Sequence, residues 1–388
     1  MKIAFVYSTL AKTGGTERIL VEKANFFAEK FAFDVTIINC FQLQQEANFF
    51  PLSDKIKQIN LGIPFFSQYK YKYPKRLWEK WQAHRMLKKS IKQAVRNVDP
   101  DILISVSRFK ADIISAIKCR AKKIVECHEV KYNTIYDVGE KRSLPVRIMI
   151  SIYEFIYFKS IERHADVIVT LTEKDKQLWN GAKHIEVIPD FSTMPVSRIS
   201  DCSAKRVIAI GRLAWEKGFG RLIEAWTFVS HEHPDWQLDI YGEGGMHDTL
   251  RHLIRMYKAR NVTIHRFTSD ISHEYATSSL CVVTSYYEGF SLVLLEALRH
   301  GVPCVAFNCP FGPESIIDDA RCGFLVPDGD IRLLSARICR LIEDDNLRKH
   351  FSKAAIEKAS SFNVDIILNK HKELYEQLIS NESRRKRK

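Results

Sequence analysis

A chain of 388 residues is long enough for two or three domains, each with its own core, and an apolar fraction of 46% is ordinary for a globular protein. The formal charge of +13 asks for an anionic partner, and nine cysteines scattered without a CxxC pair read as buried, reduced thiols of a cytosolic protein. The best candidate for a membrane span, RIMISIYEFIYF from Arg147 to Phe158, is too short and contains Glu154, and the N-terminus has no export-signal pattern.

In the first half, strands are predicted at Lys2–Tyr7, Asp34–Asn39, Ile56–Leu61, Asp101–Ser105, Lys123–Cys127, Val167–Thr170 and Glu186–Ile188. Helices fall between them near Thr16–Lys30, Pro74–Asn97, Leu144–His164 and Glu173–Trp179, an alternation that implies a parallel, doubly wound sheet. The first strand-to-helix loop, TLAKTGGTER, carries Gly14 and Gly15, where missing Cβ atoms let backbone approach a phosphate or sugar. From Tyr69 to Lys92, basic residues alternate with Tyr69, Tyr71, Tyr73, Trp78 and Trp81. With the tail Arg384–Lys388, this pattern favours an anionic membrane surface over nucleic acid, since no nucleic-acid motif accompanies it. A solvated helix face is the plainer alternative. His128 ends the strand KKIVEC, at a carboxyl end where ligands collect in open α/β sheets, and a half-buried structural histidine is the other reading.

The polar stretch Phe191–Ala204 interrupts the alternation and reads as a linker. A second alternation follows, with strands at Arg206–Ile210, Gln237–Tyr241, Val262–His265, Leu280–Thr284 and Pro303–Phe307. Helices are expected at Lys217–Ser230, Met246–Lys258, Ser291–His300, Arg332–Glu343, Leu347–Ser360 and Val364–Ile379. Arg212 and Lys217 flank the end of the first of these strands, where ligands collect in open α/β sheets, and offer a planar fork and a movable point charge to phosphate oxygens. Gly242 sits in a turn suited to a base or ribose.

The segment EGFSLVLLE places Glu288 at a strand's carboxyl end and Glu296 within the following helix. Between them, the free N–H groups around Phe290, Ser291 and Leu292 form an anion site strengthened by the helix dipole. Hydroxyls on both sides of a phosphate suit this arrangement, as in a nucleotide-sugar; one capping charge and one surface Glu would suit it less specifically. Asp328-Gly-Asp330 matches a DxD metal pattern, but Asp330 is explained more cheaply as a helix N-cap, and His231-Glu-His233 lacks the spacing of a metal site, so no metal is expected.

Taken together, GGTER (Gly14–Arg18), GRLAWEKGF (Gly211–Phe219), YGEGG (Tyr241–Gly245), Glu288-x7-Glu296 and GVPCVAFNCPFGPESII (Gly301–Ile317) resemble the retaining glycosyltransferases of family 4. The resemblance implies a GT-B fold, two Rossmann-like domains facing across a cleft. The boundaries expected are 1–190 for the first domain, 191–204 for the linker and 205–361 for the nucleotide-sugar domain. A helix at 362–380 would cross back to the first domain, ahead of a basic tail at 381–388. It further implies a UDP-hexose donor with no cofactor or metal, a glycan or lipid-linked acceptor in bacterial surface polysaccharide synthesis, and a cytoplasmic enzyme peripheral to the inner membrane face. Glu296 would hold the ribose, Glu288 and the Glu314 loop the sugar, and His128 would contact the sugar and back the reacting centre. Where relatives often have Gly, this chain has Arg266 and Phe267, which bears on the base. A UDP-sugar epimerase of the same shape and a non-enzymatic nucleotide-sugar or nucleic-acid binder are the alternatives.

Overall fold

The computed structural model describes residues 1–65, 70–131 and 143–385, with side chains to residue 380. Tyr69 and the end of the basic tail lie outside the described residues. Two compact units divide them: 1–131, 143–188 and 367–385 form the first, and 189–366 the second.

The first unit runs β1 (Lys2–Tyr7), α1 (Gly15–Glu29), β2 (Asp34–Asn39), β3 (Lys57–Asn60), α2 (Lys75–Val98), β4 (Ile102–Val106), α3 (Ala111–Ser115), β5 (Lys122–Cys127), α4 (Leu144–His164), β6 (Val167–Thr170), α5 (Glu173–Lys176) and β7 (Ile185–Val187). The second runs β8 (Arg206–Ile210), α6 (Phe219–Glu232), β9 (Gln237–Tyr241), α7 (His247–Tyr257), β10 (Val262–His265), α8 (Ile271–Ala276), β11 (Leu280–Val283), α9 (Leu292–Arg299), β12 (Cys304–Phe307), α10 (Pro313–Ile316), β13 (Gly323–Val326), α11 (Ile331–Glu343) and α12 (Asp345–Ser360). A last helix, α13 (Val364–Arg385), follows.

Each sheet is parallel. The first is ordered β3-β2-β1-β4-β5-β6-β7 and the second β10-β9-β8-β11-β12-β13. Their central strands are continuous runs of Ile, Val, Leu and Ala because helices cover both faces, and β4 is buried along its whole length. The chain reverses direction across each sheet once, between β1 and β4 and between β8 and β11. Those two gaps are topological switch points, where loops diverge and leave room for a ligand.

Three expectations change. The helix predicted from Lys217 is a short 3-10 turn at Trp215–Lys217, then α6 from Phe219, because Gly218 adopts a left-handed φ of 63° and breaks the path. The stretch expected as a linker has no regular structure but is fastened to the second unit. Phe191, Met194 and Cys202 are buried there, Arg299 donates to the Ser192 carbonyl at 2.6 Å, and the Ser200 N–H to the His300 carbonyl at 2.8 Å. The short helices α3 and α8 were not expected. In the first unit, residues of α13 pack on α1, with Tyr375 edge-on to Phe27 at 5.7 Å. All nine cysteines are free, and only Cys119 is partly exposed.

Candidate active site

At the switch point of the second sheet, the loops after β8 and β11 are locked together by backbone. A Cβ on Gly218 would meet the Thr284 carbonyl oxygen at 2.0 Å, so only glycine admits this approach. Thr284 Oγ1 donates to the Gly218 carbonyl at 3.0 Å. Arg221, in the first turn of α6, donates to the carbonyls of Thr284 and Ser285 at 2.6 and 2.8 Å and to Asp328 Oδ1 at 2.7 Å. Its guanidinium lies 3.8 Å from the Tyr286 ring centre, and Tyr286 in turn stacks on Trp215 at 4.2 Å.

This clamp sets two opposite charges side by side. Lys217 Nζ donates to Glu288 Oε1 at 2.8 Å, and Ser285 Oγ donates to the same oxygen at 2.6 Å. The Glu288 side chain is 10% exposed and that of Lys217 26%, so the pair lies at the edge of solvent. The loop after β12 closes the other side: the Glu288 N–H reaches the Pro310 carbonyl at 3.4 Å, and a Cβ on Gly312 would meet Glu288 Cβ at 2.7 Å. Phe311 in that loop has φ of 83°, backbone strain of about 1–3 kcal/mol for a bulky residue. Glu314 follows in the first turn of α10.

Three residues beyond Glu288, Ser291 caps α9 without a side-chain hydrogen bond, so the first N–H groups after it have no intrahelical acceptor. Phe290 is buried against Phe362, with ring centres 5.6 Å apart, which fixes the helix entrance. Glu296 lies on the buried side of α9, where Tyr275 donates to its Oε2 at 3.4 Å and Ser192 to its Oε1 at 3.5 Å. Both bonds are long, and stronger donors would displace them.

Arg212 is not drawn to Glu288. Its side chain is 73% exposed and pairs with Glu216 at 2.5 Å. Gly242, at the end of β9, lies so close to the β8 loop that a Cβ would meet the Gly211 carbonyl oxygen at 1.9 Å. Beside it is a cavity of about 410 Å³ lined by Leu213, Glu243, His247, His265 and Arg266 among others. His265 Nε2 is 2.9 Å from Asp239 Oδ1. Burial opposes charge on Asp239, but Arg206, Gln237 and His265 hold its carboxyl below the usual range. Of the DxD acids, Asp328 is engaged by Arg221 and Asp330 accepts the Leu333 N–H at 2.9 Å as the cap of α11.

The first unit treats its candidates differently. Gly15 opens α1, and the space beside Gly14 is held by Glu17, whose Oε2 a Cβ on Gly14 would meet at 2.3 Å. An incoming phosphate would have to displace that carboxylate, which also accepts from the Tyr7 hydroxyl at 2.9 Å. The His128 ring is turned inward, 4% exposed, with Nε2 3.6 Å from Glu126 Oε2. Glu126 accepts from Lys23 at 2.9 Å and from Tyr375 at 3.2 Å. Although burial opposes it, Lys23 and the neighbouring histidines hold the Glu126 carboxyl far below its ordinary value.

Sequence reasoning missed Ser285, Arg221, Tyr275 and Ser192. Ser285 adjoins the apolar strand and Arg221 stands four residues after Lys217, but neither pattern announces its partner.

Residues 197–358, which contain this switch point, match the family described as Glycosyl transferases group 1. The two parallel-sheet units have the GT-B fold. Among relatives, it is 26% identical over 384 residues to the amylovoran biosynthesis glycosyltransferase AmsD of Erwinia amylovora, covering 95% of this chain and 98% of that one. A sucrose-phosphate synthase from Thermosynechococcus elongatus superposes with a TM-score of 0.81 at 18% identity, covering 98% of this chain and 99% of the other. HepE of Anabaena, solved in complex with UDP-glucose, gives 0.72 at 17%, covering 97% and 100%.

Proposed function

We propose that this protein is a retaining glycosyltransferase of family 4 that moves a hexose from a UDP-sugar to a hydroxyl of a lipid-linked glycan in bacterial surface polysaccharide synthesis. The Lys217–Glu288 pair at the entrance of α9 carries the reading: a cation for the diphosphate stands 2.8 Å from a carboxylate for the sugar. Without donor the two neutralise each other. With donor, Lys217 turns to the phosphate oxygens beside the α9 N–H groups, and Glu288, still held by Ser285, accepts the sugar hydroxyls. Arg212 swings from Glu216 to the same diphosphate. Glu296 exchanges its two long bonds for the ribose hydroxyls, and the base enters the cavity beside Gly242 and Arg266.

Charge growing on the departing diphosphate is offset by Lys217, Arg212 and the helix N-terminus, an electrostatic role that needs no metal. The departing oxygen takes the acceptor's proton on the face it leaves, so configuration is retained. The Glu314 loop borders the sugar. Support for UDP comes from the UDP-glucose complex of HepE, and support for the polysaccharide setting from AmsD. The cations of α2 hold the enzyme at the inner face of an anionic membrane, each contributing about 1 kcal/mol near such a surface. The test is a screen of radiolabelled UDP-sugars against lipid-linked acceptors from bacterial membranes. Transfer with retained anomeric configuration supports the reading. Donor turnover without any acceptor replaces it with an epimerase or hydrolase.

A further inference from the structure

Helix α4 is apolar on nearly every side, yet the fold covers little of it. Leu144, Ile148, Met149, Ile152, Phe155 and Ile156 are between 52% and 68% exposed. The body of the first unit takes only a narrow stripe. Within it the Tyr157 hydroxyl donates to the Arg108 carbonyl, Phe158 packs edge-on to Trp179 at 5.5 Å, and Ile161 is buried. A helix hydrophobic all round belongs in a core or against lipid, and an exposed apolar patch of this extent marks a docking surface.

What stands beside that patch decides the occupant. Short helix α3 lies between α4 and α2, and the Asp112 charge on it acts on both His84 of α2 and the Tyr153 hydroxyl of α4. Helix α2 carries eight Lys and Arg against one Glu. Its Trp78 and Trp81 rings stack at 5.3 Å and are more than half exposed, and Lys75 covers Tyr71 at 4.3 Å. Aromatic rings beside cations suit the headgroup layer of an anionic bilayer, and bare aliphatic side chains suit the acyl boundary beneath it. A second copy fits worse, since a two-fold contact through this face would set two basic α2 helices together.

We propose that α4 inserts its apolar face into the acyl boundary of an anionic bilayer while α2 binds the headgroups. The inference rests on the reading of a membrane-held acceptor, but binding is measured without donor or acceptor, so either can fail alone. It divides membrane affinity into two parts: a salt-sensitive one from α2 and a salt-resistant one from α4.

The experiment is co-sedimentation with phosphatidylglycerol–phosphatidylethanolamine vesicles and with phosphatidylcholine vesicles, at low and high salt. Ile148→Ser/Ile152→Ser/Phe155→Ser should reduce the salt-resistant partition by about tenfold or more and leave binding salt-dependent. Lys75→Glu/Lys80→Glu/Lys89→Glu should remove the preference for anionic lipid. Phe155→Trp, which places an indole on the apolar face of α4, should add tryptophan emission that brominated acyl chains quench, a readout independent of whether the serine variant folds. Unquenched emission, or unchanged salt-resistant binding by the serine variant, overturns the proposal. A lipid-free dimer that the serine variant dissolves, seen by sedimentation velocity, assigns the face to a second copy instead.

Discussion

The two switch points share a topology and differ in how their charges are held. Between β8 and β11, Lys217 and Glu288 satisfy each other at the edge of solvent, and Arg212 pairs with Glu216 further out. Near the gap between β1 and β4, the charges are internal. Lys23 and Glu126 form an ion pair with side chains 3% exposed, and His371 and Tyr375 of α13 complete it. Strain accompanies both: Phe311 beside Glu288, and Ser107 and Arg108 after β4 with φ of 54° and 55°. A surface pair can trade partners with a ligand at small desolvation cost, whereas a buried network cannot open without exposing an uncompensated charge. The same fold element therefore carries exchangeable surface charges in one unit and a fixed buried network in the other.

The sharpest break of this contrast is Glu288→Gln. It should lower kcat by on the order of 30- to 1,000-fold, a barrier cost of about 2–4 kcal/mol, while UDP affinity by calorimetry changes little. Full activity in the folded variant would remove Glu288 from the site. Gly218→Ala comes next: the clash with the Thr284 carbonyl must separate the two loops. It should cost about 1–3 kcal/mol of stability in thermal melts and weaken UDP binding as well.

Lys217→Ala should weaken UDP binding by roughly tenfold or more, a charged hydrogen bond being worth about 1.5–3 kcal/mol. Arg212→Ala should cost less, because its side chain stays mostly in water. Unchanged affinity in both would move the diphosphate elsewhere. EDTA should leave transfer intact; loss that Mg²⁺ or Mn²⁺ restores would return attention to Asp328 and Asp330.

The smallest effect concerns the buried network. Burial and Lys23 hold the His371 pKa well below its reference of 6.5. Below about pH 6.5 the unfolded chain takes up a proton that the folded one refuses, so stability falls from there downward. His300, depressed by burial in the second unit, acts with the same sign, and Glu126 acts only in stronger acid. His371→Gln should flatten part of this acid slope in melts and leave UDP affinity alone. An unaltered slope would show that His371 is protonated in the fold.

Much of the architecture was legible because the long elements declare themselves. The β1, β4, β8 and β11 runs are apolar and β-branched, and α4 was expected at its observed bounds. Helices α3 and α8, of five and six residues, are too short to show a period. The glutamate pair and Lys217 stood out by their placement at strand ends. Ser285, Tyr275 and Ser192 did not, since their role depends on which loops the parallel register brings together. Lys217 and Glu288 meet across 71 positions of chain, and Ser192 and Glu296 across 104. The inward turn of His128 was equally hidden, because it follows from Glu126 two residues earlier sharing its side of β5 and from Lys23 on α1.

The nine thiols have a practical meaning. Burial pushes the pKa of Cys40, Cys127, Cys304 and Cys309 up, so the reactive thiolate is scarce as well as inaccessible. An alkylating reagent should label Cys119 promptly and the remaining eight only when the native structure opens. Counting modified sulfurs against time would then turn the cysteines into a clock for unfolding, read separately in each unit by where the labels fall.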